Sequence, residues 1–213
     1  DACWEKARKL DIGIDLNLFN SLSISADYFH DRREKILMQR GSWPSMLGYD
    51  TATPWGNVGK ADNRGFDASL NWTKQLTDDF SMSVRGTFTY IKNKLVYVDE
   101  PDYTYTWQTT AGWPLVSYRW VGYVADGLFK DQEDIDNSPE QNLGSQVMPG
   151  DIKYRDLNGD GKITKEDRTL ISDCGTAPKV QYGLGVYLKW KGFDLGMFFN
   201  GSAKRTILQS PMN

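Results

Sequence analysis

The feature that most constrains the fold is a strict alternation of apolar and polar residues in several segments of about ten residues. Between residues 10 and 18, every even position is apolar and every odd position is Asp, Gly or Asn. Successive side chains of a β-strand point to opposite faces of the sheet, so such a segment has one apolar and one polar face. The alternation therefore predicts strands rather than helices.

Six segments with this pattern occur along the chain, in three pairs. Because few residues separate the two members of a pair, the sequence predicts three hairpins, at about 10–30, 66–92 and 182–201. The apolar residues are even-numbered in the first five strands and odd-numbered in the sixth, which predicts one continuous apolar face. The six predicted antiparallel strands are 10–18, 22–30, 66–73, 80–92, 182–190 and 193–201.

The connections between the hairpins are long and polar, at about 31–65 and 93–181. Short turns must then lie at one end of the sheet and long loops at the other. This asymmetry, with strands of about ten residues and aromatic residues near the short turns, is typical of outer-membrane barrels. The strands of a soluble β-sandwich also alternate apolar and polar residues, but long loops without secondary structure are uncommon in such a fold.

We therefore expect an all-β chain with the antiparallel strands of a transmembrane β-barrel, long extracellular loops and an apolar face towards lipid. About six strands are too few to close a membrane barrel, since the smallest have eight. The sequence is therefore expected to be an internal part of a larger barrel domain that includes residues 1–213.

Composition narrows the possible functions. The formal net charge of −3 argues against a nucleic-acid partner that is bound by bulk positive charge. The single histidine, His30, and the two distant cysteines, Cys3 and Cys174, do not indicate a zinc site or a nucleophile–histidine pair. No catalytic residue is predicted, and the chain is not expected to be an enzyme. A disulfide between the cysteines is topologically possible, because both lie at the long-loop end.

Residues 156–167 match the twelve-residue loop of an EF-hand, with Gly161 at the position of the sharp turn. An Asp stands at the last position, where the motif usually has a bidentate Glu. Hard oxygen donors in this order suit Ca²⁺, although an acidic turn without a metal is the alternative. The predicted ligands are Asp156, Asn158, Asp160, the carbonyl of Lys162, and Asp167.

Tyrosine and tryptophan residues are concentrated between positions 97 and 123. Such side chains could stack on sugar rings or contact a protein partner, or they could form a small core within the long loop. Trp107, Trp113 and Trp120 are the candidate ligand-binding residues. The members of the group are Tyr97, Tyr103, Tyr105, Trp107, Trp113, Tyr118, Trp120 and Tyr123.

A series of short motifs resembles, in content and order, the late barrel region of SusC/RagA-type TonB-linked outer-membrane proteins of Bacteroidota. The resemblance extends over nearly the whole chain, and the order of the motifs is more specific than any one of them. The motifs are Trp4–Ala7, Leu10–Asp15, Asp27–Phe29, Asn57–Gly59, Gly65–Asp67, Gly122–Tyr123, Asp126–Phe129, Gly150–Asp156, Pro178, Tyr182–Gly183 and Gly192–Asp194.

The resemblance implies a barrel of about 22 strands with an N-terminal plug, in the outer membrane of a Gram-negative bacterium. It also implies import of oligosaccharides or peptides, a SusD-like lipoprotein partner, and coupling to TonB through an N-terminal part outside this sequence. The residues themselves leave one alternative open, a soluble calcium-dependent carbohydrate-binding β-module with aromatic side chains as its platform.

Overall fold

The computed structural model describes residues 2–43, 46, 53–115, 120–172 and 174–207. Within these residues it has one short helix, α1 (Gln132–Asp136), and 3₁₀ turns at Thr106–Gln108 and Lys165–Asp167. The strands are β1 (Lys6–Leu18), β2 (Leu22–Gln39), β3 (Trp55–Thr77), β4 (Phe80–Tyr97), β5 (Val121–Gly122), β6 (Ala125–Leu128), β7 (Glu140–Gln141), β8 (Ile152–Tyr154), β9 (Lys162–Ile163), β10 (Thr169–Leu170), β11 (Val180–Trp190) and β12 (Phe193–Ala203).

The six long strands form one antiparallel sheet in the order β1-β2-β3-β4-β11-β12. This arrangement confirms the six predicted strands and the three hairpins that join them. Among the described residues β1 and β12 are not paired with each other, so the sheet is open. No helix in the described part of the chain is both long and apolar enough to cross a membrane.

The register of the sheet places the predicted apolar residues side by side. Directly paired residues lie on the same face, so each row of partners shows what one face presents. We call the even-numbered residues of β1–β4 and β11, with the odd-numbered residues of β12, the even face, and the remaining strand residues the odd face. One row of the even face is Leu16, Ile24, Leu70, Gly86, Leu184 and Phe199.

The odd face is mainly polar over the same height of the sheet, with the aromatic side chains of Tyr187 and Phe198 as exceptions in the third hairpin. The row next to the one above consists of Asp15, Ser25, Ser69, Thr87, Gly183 and Asn200. Many large apolar side chains of the even face are left exposed by the rest of the described residues; Ile14 and Phe199, for example, are each 59% exposed. The sheet therefore has an apolar side without a protein core against it.

The apolar part of the even face has a definite height. Along β4 it runs from Phe80 to Tyr90, ten residue steps or roughly 33 Å at the rise of an antiparallel strand. With the usual strand tilt, this corresponds to about 25 Å, the height of the lipid-facing band in outer-membrane barrels.

The predicted loop boundaries were wrong, because the strands continue beyond the alternating segments. β2 extends to Gln39 and β3 begins at Trp55, so the connection is 40–54 rather than 31–65. The second connection is likewise 98–179 rather than 93–181. In these extensions both faces carry polar residues, so backbone pairing continues where the hydrophobic pattern has ended.

The long connection folds as a unit of its own, which comprises 102–109 and 118–173. β6 pairs with β8, β5 with β10, and β7 with β9, the last pair in parallel. Phe129 and Ile163 are each 3% exposed and form its small apolar core. We call residues 102–109 and 118–173 the loop unit and the remainder of the chain the sheet unit.

Two polar contacts hold the ends of the strands in the sheet unit. The side-chain amide of Asn57 accepts a hydrogen bond from the Cys3 N–H and donates to the carbonyls of Cys3 and Lys35. Lys35 has a φ of 59° and lies at a bulge in β2. The carboxylate of Asp99 accepts hydrogen bonds from Ser42 and from Arg40, and these bonds lower the pKa of Asp99. These contacts join the segments beyond β2 and β4 and the segment before β1.

Cys3 and Cys174 form no disulfide with each other in the structure.

Substitution of adjacent residues in β3 tests whether the even face contacts lipid. Arg in place of Leu70 should lower the free energy of unfolding of the membrane-inserted protein by about 2–4 kcal/mol, the cost of a cation near the bilayer midplane. Ser69→Arg, on the odd face, should change it by less than about 1 kcal/mol. Urea unfolding in lipid vesicles measures both. Equal losses would contradict the assignment of the two faces.

Candidate functional site

The EF-hand-like loop connects β8 to the 3₁₀ turn Lys165–Asp167 in the loop unit. β9, in the middle of this segment, pairs with β7, which places Lys162 beside Glu140 and Ile163 beside Gln141. The buried side chain of Ile163 anchors the loop, as expected for this position of the motif. The segment is therefore an ordered part of the unit.

The first residue of the motif, Asp156, organises the turn. One of its carboxylate oxygens accepts from the N–H of Gly159 at 2.6 Å, and the other from the N–H of Gly161 at 2.8 Å. Both glycines have positive φ, 76° and 81°. This backbone conformation is costly for other residues, so the two glycines allow the loop to close around the carboxylate.

The last residue of the motif, Asp167, is fully buried. Its carboxylate accepts from the N–H of Leu157 at 2.8 Å and from that of Thr164 at 2.7 Å, and the Thr164 pairing forms a capping box. Burial by itself raises the pKa of Asp167, but the backbone hydrogen bonds outweigh it and lower the pKa, with Asp156 acting in the same direction. The sequence predicted a metal ligand here; the structure adds a structural role, the joining of the two ends of the loop.

The other predicted ligands lie on the exposed side of the loop. Asn158 Oδ1 accepts from the N–H of Asp160 at 3.0 Å, and Asp160 Oδ1 accepts from the N–H of Lys162 at 2.8 Å. In the described part of the chain, no three His, Cys, Asp or Glu side chains form a group that could hold a metal ion. The calcium ligand set therefore stays a prediction.

The candidate aromatic residues take part in packing. The ring of Trp107 is stacked on Tyr105, with centroids 5.6 Å apart and planes at 5°, and the guanidinium of Arg168 lies 5.2 Å from its centroid. Arg168 also donates to the carbonyl of Val121 at 3.5 Å. Trp107 thus contributes to a small cluster within the loop unit, which favours the interpretation that these aromatics form a core.

The other two candidate tryptophans are half-buried. Trp120 belongs to the loop unit, where its carbonyl accepts from the N–H of Ile171 at 3.0 Å. Trp113 belongs to the sheet unit, where its carbonyl accepts from the N–H of Leu95 at 2.7 Å. The structure therefore does not assign the three tryptophans to one surface, and their contact with a ligand stays a prediction. Tyr118, another member of the aromatic group, lies outside the described residues.

Ion pairs within the loop unit are a feature that the sequence analysis missed. Arg155 forms hydrogen bonds with both carboxylate oxygens of Asp126, which lowers the pKa of Asp126 and raises that of Arg155. Lys153 donates to Asp134 at 2.8 Å and lowers its pKa. Each basic residue lies in or just after β8 and has its acidic partner about 20–30 residues earlier. The pairs join β6 and α1 to β8. The motifs of the resemblance contain Asp126, Lys153 and Arg155, but not Asp134.

Comparison with known proteins gives consistent matches over nearly the whole chain. The family model described as TonB dependent receptor-like, beta-barrel, matches residues 4–207. TonB-dependent receptor P3 of Formosa agariphila is 30% identical over 220 residues, covering 96% of this chain and 21% of the relative. TonB-dependent receptor SusC of Bacteroides thetaiotaomicron is 24% identical over 216 residues, covering 96% and 20%.

The fold also matches a solved structure. The structure of the RagAB peptide importer in the open-open state aligns with a TM-score of 0.68 at 18% identity, covering 96% of this chain and 21% of that chain. The chain thus spans about one fifth of the length of the curated relatives that it matches.

Replacement of Asp167 tests its structural role. In Asp167→Asn, an amide nitrogen would face a backbone N–H, so the loop unit should lose about 1–3 kcal/mol of stability. Folding lowers the pKa of Asp167. The stability that its carboxylate contributes is therefore fully present above its pKa in the unfolded chain, about 3.9, and is lost as the pH falls through its pKa in the folded protein. The difference between wild type and variant should therefore shrink below about pH 4.

Hydrogen exchange at the amides of Leu157 and Thr164 measures this effect directly. Glu166→Gln, which removes an exposed carboxylate from the neighbouring position, is the matched control and should change the exchange little. The structural role would be refuted by equal exchange rates in the two variants above pH 5.

Proposed function

The chain belongs to the TonB-dependent receptor-like β-barrel family, and we propose that it forms part of the barrel wall of a TonB-driven outer-membrane importer. Its motif order is that of SusC/RagA-type receptors, and the outer membrane is where such receptors lie. The proposal concerns the complete receptor, of which the chain corresponds to about one fifth. The family assignment favours transport over catalysis.

The observation that carries the proposal is the contrast between the two faces of the open sheet. The even face offers an exposed apolar band about 25 Å high, which fits the hydrocarbon layer. The odd face offers Asp, Asn, Ser and Thr side chains, which suit a water-filled interior. A wall with these faces separates lipid from an aqueous lumen.

The soluble carbohydrate-binding module is not favoured. In a soluble sandwich the apolar face of the sheet would be covered by a second sheet. Here Ile12, Leu195 and other residues of the even face remain more than half exposed. The family match from 4 to 207 includes both the sheet unit and the loop unit, so neither is left as a separate soluble module.

The proposed cargo is a glycan or peptide, taken up together with a SusD-like lipoprotein. The RagAB structural neighbour is named a peptide importer, and the glycan and the lipoprotein are implied by the SusC/RagA-type resemblance. We assign the connection between β4 and β11 to the extracellular side, because the ends of the strands that it joins are opposite the short turns. In that position it can contact substrate or lipoprotein.

Uptake measurements test the proposed function. In a strain that encodes the complete receptor, deletion of its gene should abolish uptake of defined oligosaccharides or of defined peptides, and the wild-type gene should restore it. Disruption of TonB should have the same effect on that substrate, and the lipoprotein should co-purify with the receptor. Unchanged uptake of both substrate classes, or receptor-dependent uptake without TonB, would contradict the proposal.

We also propose that the segment 156–167 binds Ca²⁺. The donors are oxygens, Gly161 provides the sharp turn, and the carboxylates of Asp156 and Asp167 lie close together. The order of the donors suits Ca²⁺ better than a transition metal. The metal would then act as a clip that fixes the loop unit, not as a sensor.

Calcium titration of the complete receptor tests this site. We expect a dissociation constant of about 0.1–1 mM, as in extracellular calcium modules, and protection of the loop unit from proteolysis. Asp156→Ala with Asp160→Ala should weaken binding at least about tenfold. Asp102→Ala, an exposed acidic residue of the same unit outside the motif, should leave it unchanged. Equal protection with and without Ca²⁺ would refute the site.

A further inference from the structure

Two aromatic residues interrupt the polar odd face in the third hairpin. Tyr187 in β11 and Phe198 in β12 belong to adjacent rows of partners, since Tyr187 is paired with Gly196 and Phe198 with Gly185. Within the described part of the chain Phe198 is 71% exposed and Tyr187 is 47% exposed. The interior of a membrane barrel is polar, so two exposed rings on this face indicate a binding surface.

Three glycines allow these rings to lie close against the wall. A Cβ atom at Gly196 would lie 3.5 Å from the ring of Tyr187. Cβ atoms at Gly185 and Gly183 would lie 3.5 Å and 3.6 Å from the ring of Phe198. Each ring therefore lies across the neighbouring strand, where a longer side chain would displace it, instead of pointing away from the sheet. We call Tyr187 and Phe198 the aromatic platform.

Polar side chains surround the aromatic platform. Arg85 lies in the same row of partners as Phe198, and Asn200 follows in the next row. The hydroxyl group of Tyr187 forms a hydrogen bond with the carboxylate of Asp194, which holds the ring in place. The platform thus has a guanidinium, an amide and a carboxylate at its border.

This combination of groups suits a sugar ring. The C–H groups on one face of a pyranose pack against the electron-rich face of an aromatic ring, while the hydroxyl groups point outwards from its rim. Arg85, Asn200 and Asp194 can donate to and accept from such hydroxyl groups. Tyr187 and Phe198 are diagonal neighbours, about 7–8 Å apart, so successive units of one oligosaccharide can contact both rings.

Other occupants fit this surface less well. A peptide strand binds through the backbone groups of a sheet edge, whereas β11 is paired on both sides, with β4 and β12. A packed protein segment inserts its side chains between those of its partner. Here the rings themselves fill the space above the glycines, so the surface is level and favours a flat ligand.

From this geometry we propose that the aromatic platform binds sugar rings of the cargo by stacking inside the lumen. The inference rests on the proposed function, because it requires the odd face to line the lumen, and it selects the glycan from the two proposed classes of cargo. Tyr187 lies three residues before the end of β11, and Phe198 lies five residues after the start of β12. The platform is therefore near a short turn, and the cargo reaches it after it has passed the long-loop end.

Uptake of defined oligosaccharides by cells that produce the complete receptor tests the aromatic platform. The probes are neutral hexasaccharides of glucose, xylose, mannose, galactose and fructose, with defined hexapeptides measured in parallel. We expect receptor-dependent uptake of a hexasaccharide. In the double variant Tyr187→Leu, Phe198→Leu, its uptake at low concentration should fall about tenfold, because leucine keeps apolar area but has no flat ring. Phe198→Trp, which keeps a flat ring, should retain uptake within about threefold of wild type.

A matched control removes the same two types of ring from the even face of the same strands. The double variant Tyr182→Leu, Phe199→Leu should keep hexasaccharide uptake within about threefold of wild type, because these residues face lipid. Equal losses in the two double variants, or unchanged uptake in the platform variant, would overturn the proposal. So would an equal loss of hexasaccharide and hexapeptide uptake in the platform variant, since the rings would then support another part of the receptor.

The two classes of probe separate this proposal from the proposed function. If hexapeptides but no hexasaccharides enter through the receptor with the help of TonB, the platform assignment fails while the importer assignment stands. If neither class enters through the receptor, the importer assignment itself fails.

Discussion

Backbone hydrogen bonding between neighbouring strands is the constraint on which the rest of the structure depends. In a hydrocarbon layer an unpaired N–H or C=O costs several kcal/mol, so each strand must find its partners in the sheet. The pairing fixes the register, and the register decides which side chains share a row. Because Leu16, Ile24 and Leu70 are direct partners, one polar residue among them would interrupt the whole row. The apolar band and the polar wall are thus two results of the same register.

The sequence predicted the strand segments that have lipid on one face of the sheet and water on the other. Where one face meets lipid and the other water, alternation is obligatory, and all six strands were found from it. Beyond Tyr28 and before Phe66 both faces meet polar surroundings, so the sequence carries no such signal although the strands continue. The loop boundaries were wrong for this reason. The bulge at Lys35 and the amide of Asn57 that joins it to Cys3 depend on residues far apart in the chain, which local patterns do not reveal.

The candidate metal loop was predicted in its position and in the role of its glycines, since a fixed spacing defines the motif. The role of Asp167 was predicted only in part. The motif assigns it to a metal, whereas the structure adds two backbone N–H partners and complete burial. Ion pairs such as Asp126–Arg155 join residues 29 positions apart, a separation that gives no periodic signal.

The uncovered even face has a consequence for how this protein can vary. In a packed core, shortening a side chain leaves a cavity with a cost that grows with its volume, because neighbouring atoms relax only partly. Fluid acyl chains instead reshape around whatever lies against them. Exchange among Leu, Ile, Val and Phe at Ile14 or Leu184 should therefore have almost no steric cost. Its effect on stability should follow the apolar area that is transferred from water to lipid. On this side of the wall, selection acts on polarity and height rather than on shape, so related chains can diverge widely in sequence there and keep the same barrel.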